Sequence, residues 1–446
     1  MVIRGAESLV LGSQARCPAI LNPSMPASAK ADPHHPAAIR TAGLALLLLT
    51  CLNLFNFIDR YVLPGVQPLI QREFRIDDAQ AGLLTSAFFF TYMLIAPLTG
   101  WLGDRLPRKP LIVAGALIWS AATLLTAFVH DYHTLLIRHA AVGIGEATFS
   151  IFAPALLSDF YPEEDRNKIL SIFYVTIPVG GALGYLMGGE LGGHFGWRVP
   201  FYVAAAPGVL IAFCFWLFVR EPNRGSADTL KPTTTRTSFS GLFRNPAFWT
   251  ATLGLAMWTF AVGGISTWLP TFLERFGGYS LAGADRLAGA VTVIDGLLAT
   301  IAGGWIAQLW LRRNHRALYL VSAWSATLAI PFAALVFFGP SRLLLPGAFL
   351  AEFCLFLNTG PLNAAIVNSV AAPIRSTAIS VNLFVIHALG DSFSPGLIGR
   401  ISDATNLRIG LGVTLISLVL SGVILFGGSR FAPRLPDLEK GAPANS

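Results

Sequence analysis

Charged side chains are scarce in this 446-residue sequence. Asp, Glu, Lys and Arg together make up 12% of it, whereas hydrophobic residues make up 54%. Soluble domains carry about 25% charged residues, and a mean hydropathy of +0.61 reflects the same shortage. Because so few charges cannot cover a water-facing surface, most of the outer surface must face lipid. The composition excludes a cytosolic enzyme, a secreted disulfide scaffold and a disordered protein.

Cysteines and the motifs of nucleotide or metal chemistry are also few. Cys17, Cys51, Cys214 and Cys354 are scattered without paired or metal-type spacing, which argues against a disulfide framework or a zinc site. The sequence contains no phosphate-binding loop and no nucleophile elbow. We therefore expect no cofactor, no metal and no catalytic residues, and any energy source would be an ion gradient.

Long apolar stretches are abundant, each near the ~20 residues that a membrane-spanning helix requires. Twelve follow one another from residue 41 onward. They lie at approximately 41–68, 80–102, 110–129, 133–157, 168–190, 199–219, 246–272, 286–309, 317–338, 343–369, 375–400 and 409–428. The sequence therefore predicts an all-α integral membrane protein.

A single long polar gap, 220–245, divides these stretches into six plus six. We expect it to be a cytoplasmic linker between a bundle at 41–219 and a bundle at 246–428. Residues 1–40 are rich in Ala, Pro and Ser and are predicted to be a disordered tail. A second tail follows at 429–446. Because nothing before Met25 has a structural pattern, we expect the natural chain to begin there.

The distribution of positive charge predicts the orientation. Of the 31 Lys and Arg residues, 21 fall in the tails, the linker and the loops on one side, and 8 in the loops on the other. Positive residues accumulate on the cytoplasmic side, so both termini are predicted to be cytoplasmic. The protein itself is predicted to lie in the cell membrane. The net charge of +7 is then explained without nucleic acid.

The two halves repeat each other. Gly100-Trp101 closes the second span and Gly304-Trp305 closes the eighth, and a basic cluster follows each. Repeated halves joined by a linker are typical of a transporter whose site lies between two bundles.

The segment 100–109 carries an ordered pattern of Gly, Asp and Arg between the second and third spans. The candidate residues of a conformational latch are Gly100, Asp104, Arg105, Arg108 and Lys109. Asp104 could pair with Arg105 or meet a neighbouring helix N-terminus, and so hold the bundles in one state. The alternative is a positively charged loop that only fixes the orientation of the neighbouring spans, as a positive-inside stop signal.

Ionisable groups inside the predicted spans are costly and usually functional. Asp59 and Arg60 are adjacent in the first span and point about 100° apart, so they do not easily share one partner. We interpret Asp59 as a proton-coupling residue and Arg60 as a substrate-binding residue. The alternative is a structural ion-pair network that ties the first span to the fourth.

The fourth span carries Arg138, His139 and Glu146. His139 and Glu146 lie two turns apart on nearly the same face, whereas Arg138 is rotated away. Shielded from water, Glu146 could carry a proton, with His139 as a second proton-coupling candidate and Arg138 as a substrate-binding one. Permanent pairing of Glu146 with Arg60 or Arg138 is an equal alternative.

The second half contributes further substrate-binding candidates. Glu352 and Asn358 lie in the tenth span, and His387 and Asp391 lie in the eleventh. The spacing of His387 and Asp391 places them on one helix face, as a titrating pair or as a fixed hydrogen-bonded pair. Asp295, in the eighth span, is isolated.

Glycines in the fifth span recur at strict four-residue spacing. Gly180, Gly184, Gly188 and Gly192 form a stripe that predicts close helix packing. Such a smooth surface would let the bundles rock.

From about residue 42 to residue 428 the sequence resembles the spinster-like branch of the major facilitator superfamily. The segment 100–109 resembles the superfamily's loop between helices two and three. The sequence motifs that resemble this branch are Gly145-Glu146-Ala147, Ala153-Pro154, Ser158-Asp159, 195–198, 358–365, 375–378, 387–391 and Ser394-Pro395. The resemblance implies twelve transmembrane helices in two pseudo-symmetric six-helix bundles. It also implies alternating-access transport of amphiphilic lipids, such as lysophospholipids or sphingoid phosphates, often linked to protons. Asp59, Arg60 and Glu146 match the expected coupling residues.

One position departs from that pattern. The family has Arg four residues before Gly143, where this sequence has His139, with Arg138 displaced by one. Either a helix distortion returns Arg138 to the cavity, or His139 has taken its place.

We expect a proton-linked secondary transporter, a monomer among membrane lipids, that moves a small amphiphilic substrate. Arg60, with Arg138 or His139, would hold an anionic head group, and a Phe-rich cavity would accept the acyl chain. The alternatives are a proton-coupled exporter of hydrophobic drugs or a transporter of small organic anions. A membrane receptor or a lipid-modifying enzyme is disfavoured, because the tails are short and no nucleophile, base and metal ligands are grouped.

Overall fold

The computed structural model describes residues 36–103, 105–161, 163–223, 240–370 and 375–433, which are almost entirely helical. The α-helices of this part of the chain are α1 (Pro36–Phe74), α2 (Asp78–Gly103), α3 (Arg108–Thr126), α4 (Tyr132–Phe160), α5 (Glu163–Tyr174), α6 (Thr176–Phe195), α7 (Val199–Phe218), α8 (Ser240–Phe243), α9 (Pro246–Gly277), α10 (Leu281–Leu311), α11 (Ala317–Phe338), α12 (Leu344–Phe356), α13 (Thr359–Asn368), α14 (Arg375–Ile386), α15 (Ser394–Ala404) and α16 (Leu407–Gly428). Helix α1 begins inside the segment 1–40 that the sequence assigned to a tail, and Met25 lies outside the described residues.

Twelve segments of the described chain are long and apolar enough to cross a membrane, and each corresponds to one predicted stretch. The twelve-helix prediction is confirmed. The differences lie at the ends, since the first crossing runs to Phe74 rather than 68 and the seventh to Gly277 rather than 272. These extra turns are polar, which is why hydropathy did not include them, and they carry contacts between the two halves.

Three crossings are built from two helices rather than one. The fifth consists of α5 and α6, and the tenth of α12 and α13. The eleventh consists of α14, a π-helical turn at His387–Asp391 and α15, and Gly390 in that turn has a non-helical backbone (φ −102°, ψ −109°). Pro395 lies in the first turn of α15, where its missing N–H removes no helical bond.

Counting crossings defines two membrane faces. The linker face is the one on which α7 ends at Phe218 and α9 begins at Pro246. The far face is the opposite one, which carries the connections α1–α2, α9–α10 and α15–α16. Helices α1–α7 form the first half, and α9–α16 form the second.

The two halves meet closely in the far part of the membrane. A Cβ atom on Gly82 of α2 would lie 2.1 Å from the Pro395 carbonyl oxygen, and one on Gly399 of α15 would lie 2.1 Å from the Asp78 oxygen. Beside them, a Cβ on Gly289 of α10 would lie 3.0 Å from the Ala182 oxygen of α6. We call these α2–α15 and α6–α10 contacts the far gate. The structure is a conformation in which the far gate is closed.

The glycine stripe of α6 packs against α1 of the same half. A Cβ on Gly184 would lie 2.5 Å from the Ile58 oxygen, and one on Gly188 would lie 2.9 Å from the Gly65 Cα. The predicted close packing is therefore present, but it is internal to one bundle. The neighbouring Gly189 faces the other half.

Candidate functional site

A buried ion pair lies at the centre of the first half. Arg60 of α1 donates two hydrogen bonds to the Oε2 atom of Glu146 on α4, from Nη2 at 2.6 Å and from Nε at 3.1 Å. Glu146 is completely buried, and the Arg60 side chain is 18% exposed. Breaking such a pair leaves an uncompensated buried charge, at a cost of about 3–5 kcal/mol. The pair therefore requires another ion, or a proton, before it can separate.

Aromatic rings surround the Arg60 guanidinium. Its Cζ atom lies 4.9 Å from the ring centroid of Phe57, 5.2 Å from Phe88, 5.8 Å from Phe89 and 5.6 Å from Tyr92. A cation within about 6 Å of a ring face is stabilised by it. Arg60 thus presents its positive charge inside a cage of apolar, flat surfaces.

Asp59 points away from this cage. The hydroxyl of Thr123 on α3 donates a hydrogen bond to the Oδ2 atom of Asp59, which is buried. The two neighbours in α1 therefore have separate partners, Asp59 on α3 and Arg60 on α4. This agrees with the 100° between adjacent helix positions.

Helix α4 is continuous from Tyr132 to Phe160, so Arg138 and His139 remain on different faces. His139 is buried, and its ring centroid lies 5.6 Å from that of Phe88, the same ring that packs on Arg60. Arg138 is half-buried. Of these two residues, His139 is the one that shares an aromatic neighbour with the ion pair.

The second half approaches the same cage through the π-helical turn. His387 Nδ1 and Asp391 Oδ1 are 2.9 Å apart. The His387 ring stacks on Phe89, with centroids 5.7 Å apart and planes at 19°, and lies 5.0 Å from the Tyr92 centroid. Phe89 and Tyr92 of α2 therefore lie between Arg60 and the His387–Asp391 pair.

A further polar group lies on α10 and α12. The Thr292 hydroxyl donates to Glu352 Oε2 at 3.3 Å. Asp295 is fully buried, and among the described residues neither of its carboxyl oxygens has a hydrogen-bond partner. Asn358, at the break between α12 and α13, is buried in the same way. Tyr61 of α1 lies within electrostatic range of Arg60, Glu352 and Asp391, so these three charged residues surround it from both halves.

The basic segment between α2 and α3 makes its described contacts within the first half. Arg108 pairs with Asp159 and also donates to the Ala155 oxygen at 3.0 Å, both on α4. Glu221, just after α7, accepts hydrogen bonds from the backbone N–H groups of Arg108 at 2.6 Å and Lys109 at 3.1 Å. Gly100 lies in α2 and Arg105 in the turn after it, whereas Asp104 is outside the described residues.

A polar network that sequence reasoning did not predict joins the halves at the far face. Asp78, at the start of α2, accepts hydrogen bonds at 2.7 Å from both Nη atoms of Arg275 on α9. Asp403, at the end of α15, accepts from the backbone N–H groups of Asp78 and Ala79 at 2.9 and 2.7 Å. Arg72 pairs with Glu274 in the same region. In the sequence these residues look like ordinary solvated helix ends. An acidic side chain at the start of a helix is common because it interacts favourably with the helix dipole, so it does not by itself predict a contact between the halves.

Comparison with known proteins identifies the class. The family model described as Major Facilitator Superfamily matches residues 49–395. The chain belongs to this superfamily and is a membrane transporter, with twelve helical crossings among its described residues.

Within the superfamily, the chain belongs to the spinster-like branch. It is 36% identical to the zebrafish sphingosine-1-phosphate transporter SPNS2 over 396 residues, which cover 82% of this chain and 77% of the relative. It is 34% identical to human protein spinster homolog 1 over 392 residues, 81% of this chain and 73% of the relative.

Solved structures agree with this placement. A bacterial homolog of the human lysosomal transporter spinster, in an inward-facing and unoccupied conformation, superposes with a TM-score of 0.78 at 26% identity, covering 89% of this chain and 99% of that one. A D-xylose–proton symporter has a TM-score of 0.72 at 15% identity, covering 88% of this chain and 98% of that one, which shows the shared fold.

Proposed function

We propose that this transporter moves an amphiphilic, lipid-like substrate of the lysophospholipid or sphingoid-phosphate type, by alternating access and linked to protons. The observation that carries the proposal is the Arg60–Glu146 pair within its aromatic cage. An anionic head group would pair with Arg60, and the flat rings would contact the first part of the acyl chain. The relative named as a sphingosine-1-phosphate transporter supports this substrate class. The activity is transport, not catalysis.

Arg60 links the proton to the substrate. In the structure its guanidinium is engaged by Glu146. A proton on Glu146 removes the negative charge that holds Arg60, so the guanidinium becomes available to an anionic head group. Coupling between two ligands is reciprocal; substrate binding therefore favours proton uptake, and a lower pH favours substrate binding.

The remaining candidates take supporting roles. Asp59 and His139 are further proton-coupling groups, since both are buried next to the pair or its cage. Glu352, Asn358, His387 and Asp391 would contact the substrate from the second half. Arg138 stays a candidate for the head group.

We propose that the linker face is cytoplasmic, on the evidence of 21 against 8 positive residues. Both termini are then cytoplasmic, and the protein lies in the cell membrane as a monomer. With the far gate closed, the conformation is inward-facing, as in the bacterial spinster homolog. The segment from Gly100 to Lys109, with Asp104, Arg105 and Arg108, would form its latch in the opposite state.

Uptake into proteoliposomes at several pH values tests the coupling. Glu146→Gln keeps the shape of the side chain but cannot change its charge, so we expect substrate uptake that no longer depends on the pH gradient. The matched control is Glu73→Gln, which removes a half-exposed carboxylate paired with Arg198; its pH profile should match that of the wild type. An unchanged pH dependence in Glu146→Gln would remove Glu146 from the coupling.

The substrate class needs a separate measurement. A thermal-shift panel of lysolipids, sphingoid phosphates, hydrophobic drugs and small carboxylates should show stabilisation by the first two groups and its loss in Arg60→Ala. Stabilisation by drugs or carboxylates alone would replace the lipid proposal with one of the alternatives.

A further inference from the structure

Asp285 is a buried carboxyl group in the far gate that the transport mechanism above does not use. It lies in the second turn of α10, in the second half, and its exposed fraction is 0%. It inserts between α1 and α6 of the first half. A Cβ on Gly65 would lie 3.2 Å from its Oδ1 atom, and a Cβ on Gly189 would lie 2.7 Å from its Oδ2 atom. A Cβ at residue 189 would therefore collide with the Asp285 side chain, and one at residue 65 would make a tight contact with it.

Neither oxygen of this carboxyl group has a hydrogen-bond partner among the described residues. The titratable groups within electrostatic range of it are Glu190 and Tyr185 on α6 and Glu274 on α9. The cations of this region are Arg286, the next residue along α10, and Arg72 on α1.

The nearby cations are engaged elsewhere. Arg286 pairs with Glu190, and Arg72 pairs with Glu274. The Tyr185 hydroxyl donates its hydrogen bond to the Ser266 oxygen. Two acidic side chains therefore stand near Asp285, each with its own partner, and their charge opposes another negative charge between them.

An ionised carboxylate in this position is unfavourable. A buried charge needs a counter-ion or several hydrogen bonds, and the N-terminal dipole of α10 acts mainly within its first turn. The neutral, protonated carboxyl group is the form that this buried position, without a hydrogen-bond partner among the described residues, favours. When the halves separate at the far face, the same group meets water and can ionise.

We propose that Asp285 is a proton-binding site of the far gate, which takes up a proton for the halves to close and releases it to the far side when they open. The proton is not transported, because Asp285 meets water only from the far side. It sets the balance between the two conformations according to the pH on that side. The proposal is independent of the substrate and of the role of Glu146.

The test measures gate closure directly, in the full chain without substrate. Spin labels replace Phe195 and Ser341, which are exposed at the far face of the first and second half, in a background without the four native cysteines. Double electron–electron resonance then gives the fraction of molecules with a short far-face distance. In the wild-type sequence this fraction should fall between pH 6 and pH 8.5, by up to about tenfold per pH unit in the closed-to-open ratio for one proton.

The far gate of Asp285→Asn should stay closed at both pH values. Because no proton is then linked to closure, the closed-to-open ratio should change by less than about twofold. Asp285→Ala, which removes the carboxyl group altogether, should be equally insensitive to pH. Asp131→Asn is the matched control, since Asn can also cap α4 and residue 131 lies at the far face outside the gate; it should behave as the wild type does.

The same measurement in Glu146→Gln separates this proposal from the coupling proposal. Persistence of the pH dependence in Glu146→Gln and its loss in Asp285→Asn support the gate site. Wild-type pH dependence in a folded Asp285→Asn variant, or no pH dependence in the wild type, overturns it.

Discussion

Arg60 is the residue on which the proposed function depends most. It combines a two-bond contact to Glu146 with four aromatic neighbours. The sequence could identify Arg60 and Glu146 as candidates because charged groups in a membrane are rare. It could not identify Phe57, Phe88, Phe89 and Tyr92 as their cage, since the 32 Phe residues of the chain have no individual signal.

The cage predicts that lysine cannot replace Arg60. Lysine keeps the charge but loses the planar fork and most of the stacking, and each cation–π contact is worth about 0.5–2 kcal/mol. We expect Arg60→Lys to weaken binding of an anionic lysolipid by at least ~10-fold, measured by titration of the purified protein.

Arg198 offers a matched control for that substitution. It also stacks on an aromatic ring, with its Cζ atom 4.2 Å from the Trp197 centroid, and pairs with Glu73. It lies at the far face of the first half, away from the cage. Equal losses in Arg60→Lys and Arg198→Lys would contradict a specific role for Arg60.

At the scale of the helices, hydropathy predicted the twelve crossings but not their interruptions. The break at Leu357–Asn358 and the π-helical turn at His387–Asp391 lie within apolar stretches. A hydropathy pattern depends on side chains, whereas these breaks are changes in backbone hydrogen bonding. Pro395 was the available signal, since it marks the first turn of α15.

The close contact of α2 and α15 predicts the effect of one added methyl group. A Cβ on Gly399 would lie 2.1 Å from the Asp78 oxygen, which is backbone and cannot move aside. We expect Gly399→Ala to shift the population of far-face distances toward the open state. The spin labels described above measure this shift.

Gly427→Ala provides the comparison. Gly427 is also helical but has no atom within 4 Å of its added Cβ, so the distances should stay as in the wild type. A closed far gate in Gly399→Ala would mean that the two helices are not held at backbone contact in solution.

At the scale of the whole molecule, the sequence predicted two halves but not which face is closed. Both conformations of an alternating transporter have the same apolar stretches, so hydropathy does not distinguish them. The closed far face is marked by contacts between the halves, among them Asp78 with Arg275 and Asp403 with the start of α2. Their partners lie about 200 to 325 positions apart in the chain, a separation over which a single sequence gives no pairing signal.

The link between the proton and the substrate is tested most directly by counting protons. A lysophospholipid with a phosphodiester head group, whose own charge does not titrate near neutrality, is added to purified protein in weakly buffered solution. We predict uptake of about one proton per bound lipid in the wild type, and none in Glu146→Gln. Binding without proton uptake in the wild type, or with release of a proton, would contradict the exchange of Arg60 between Glu146 and the head group.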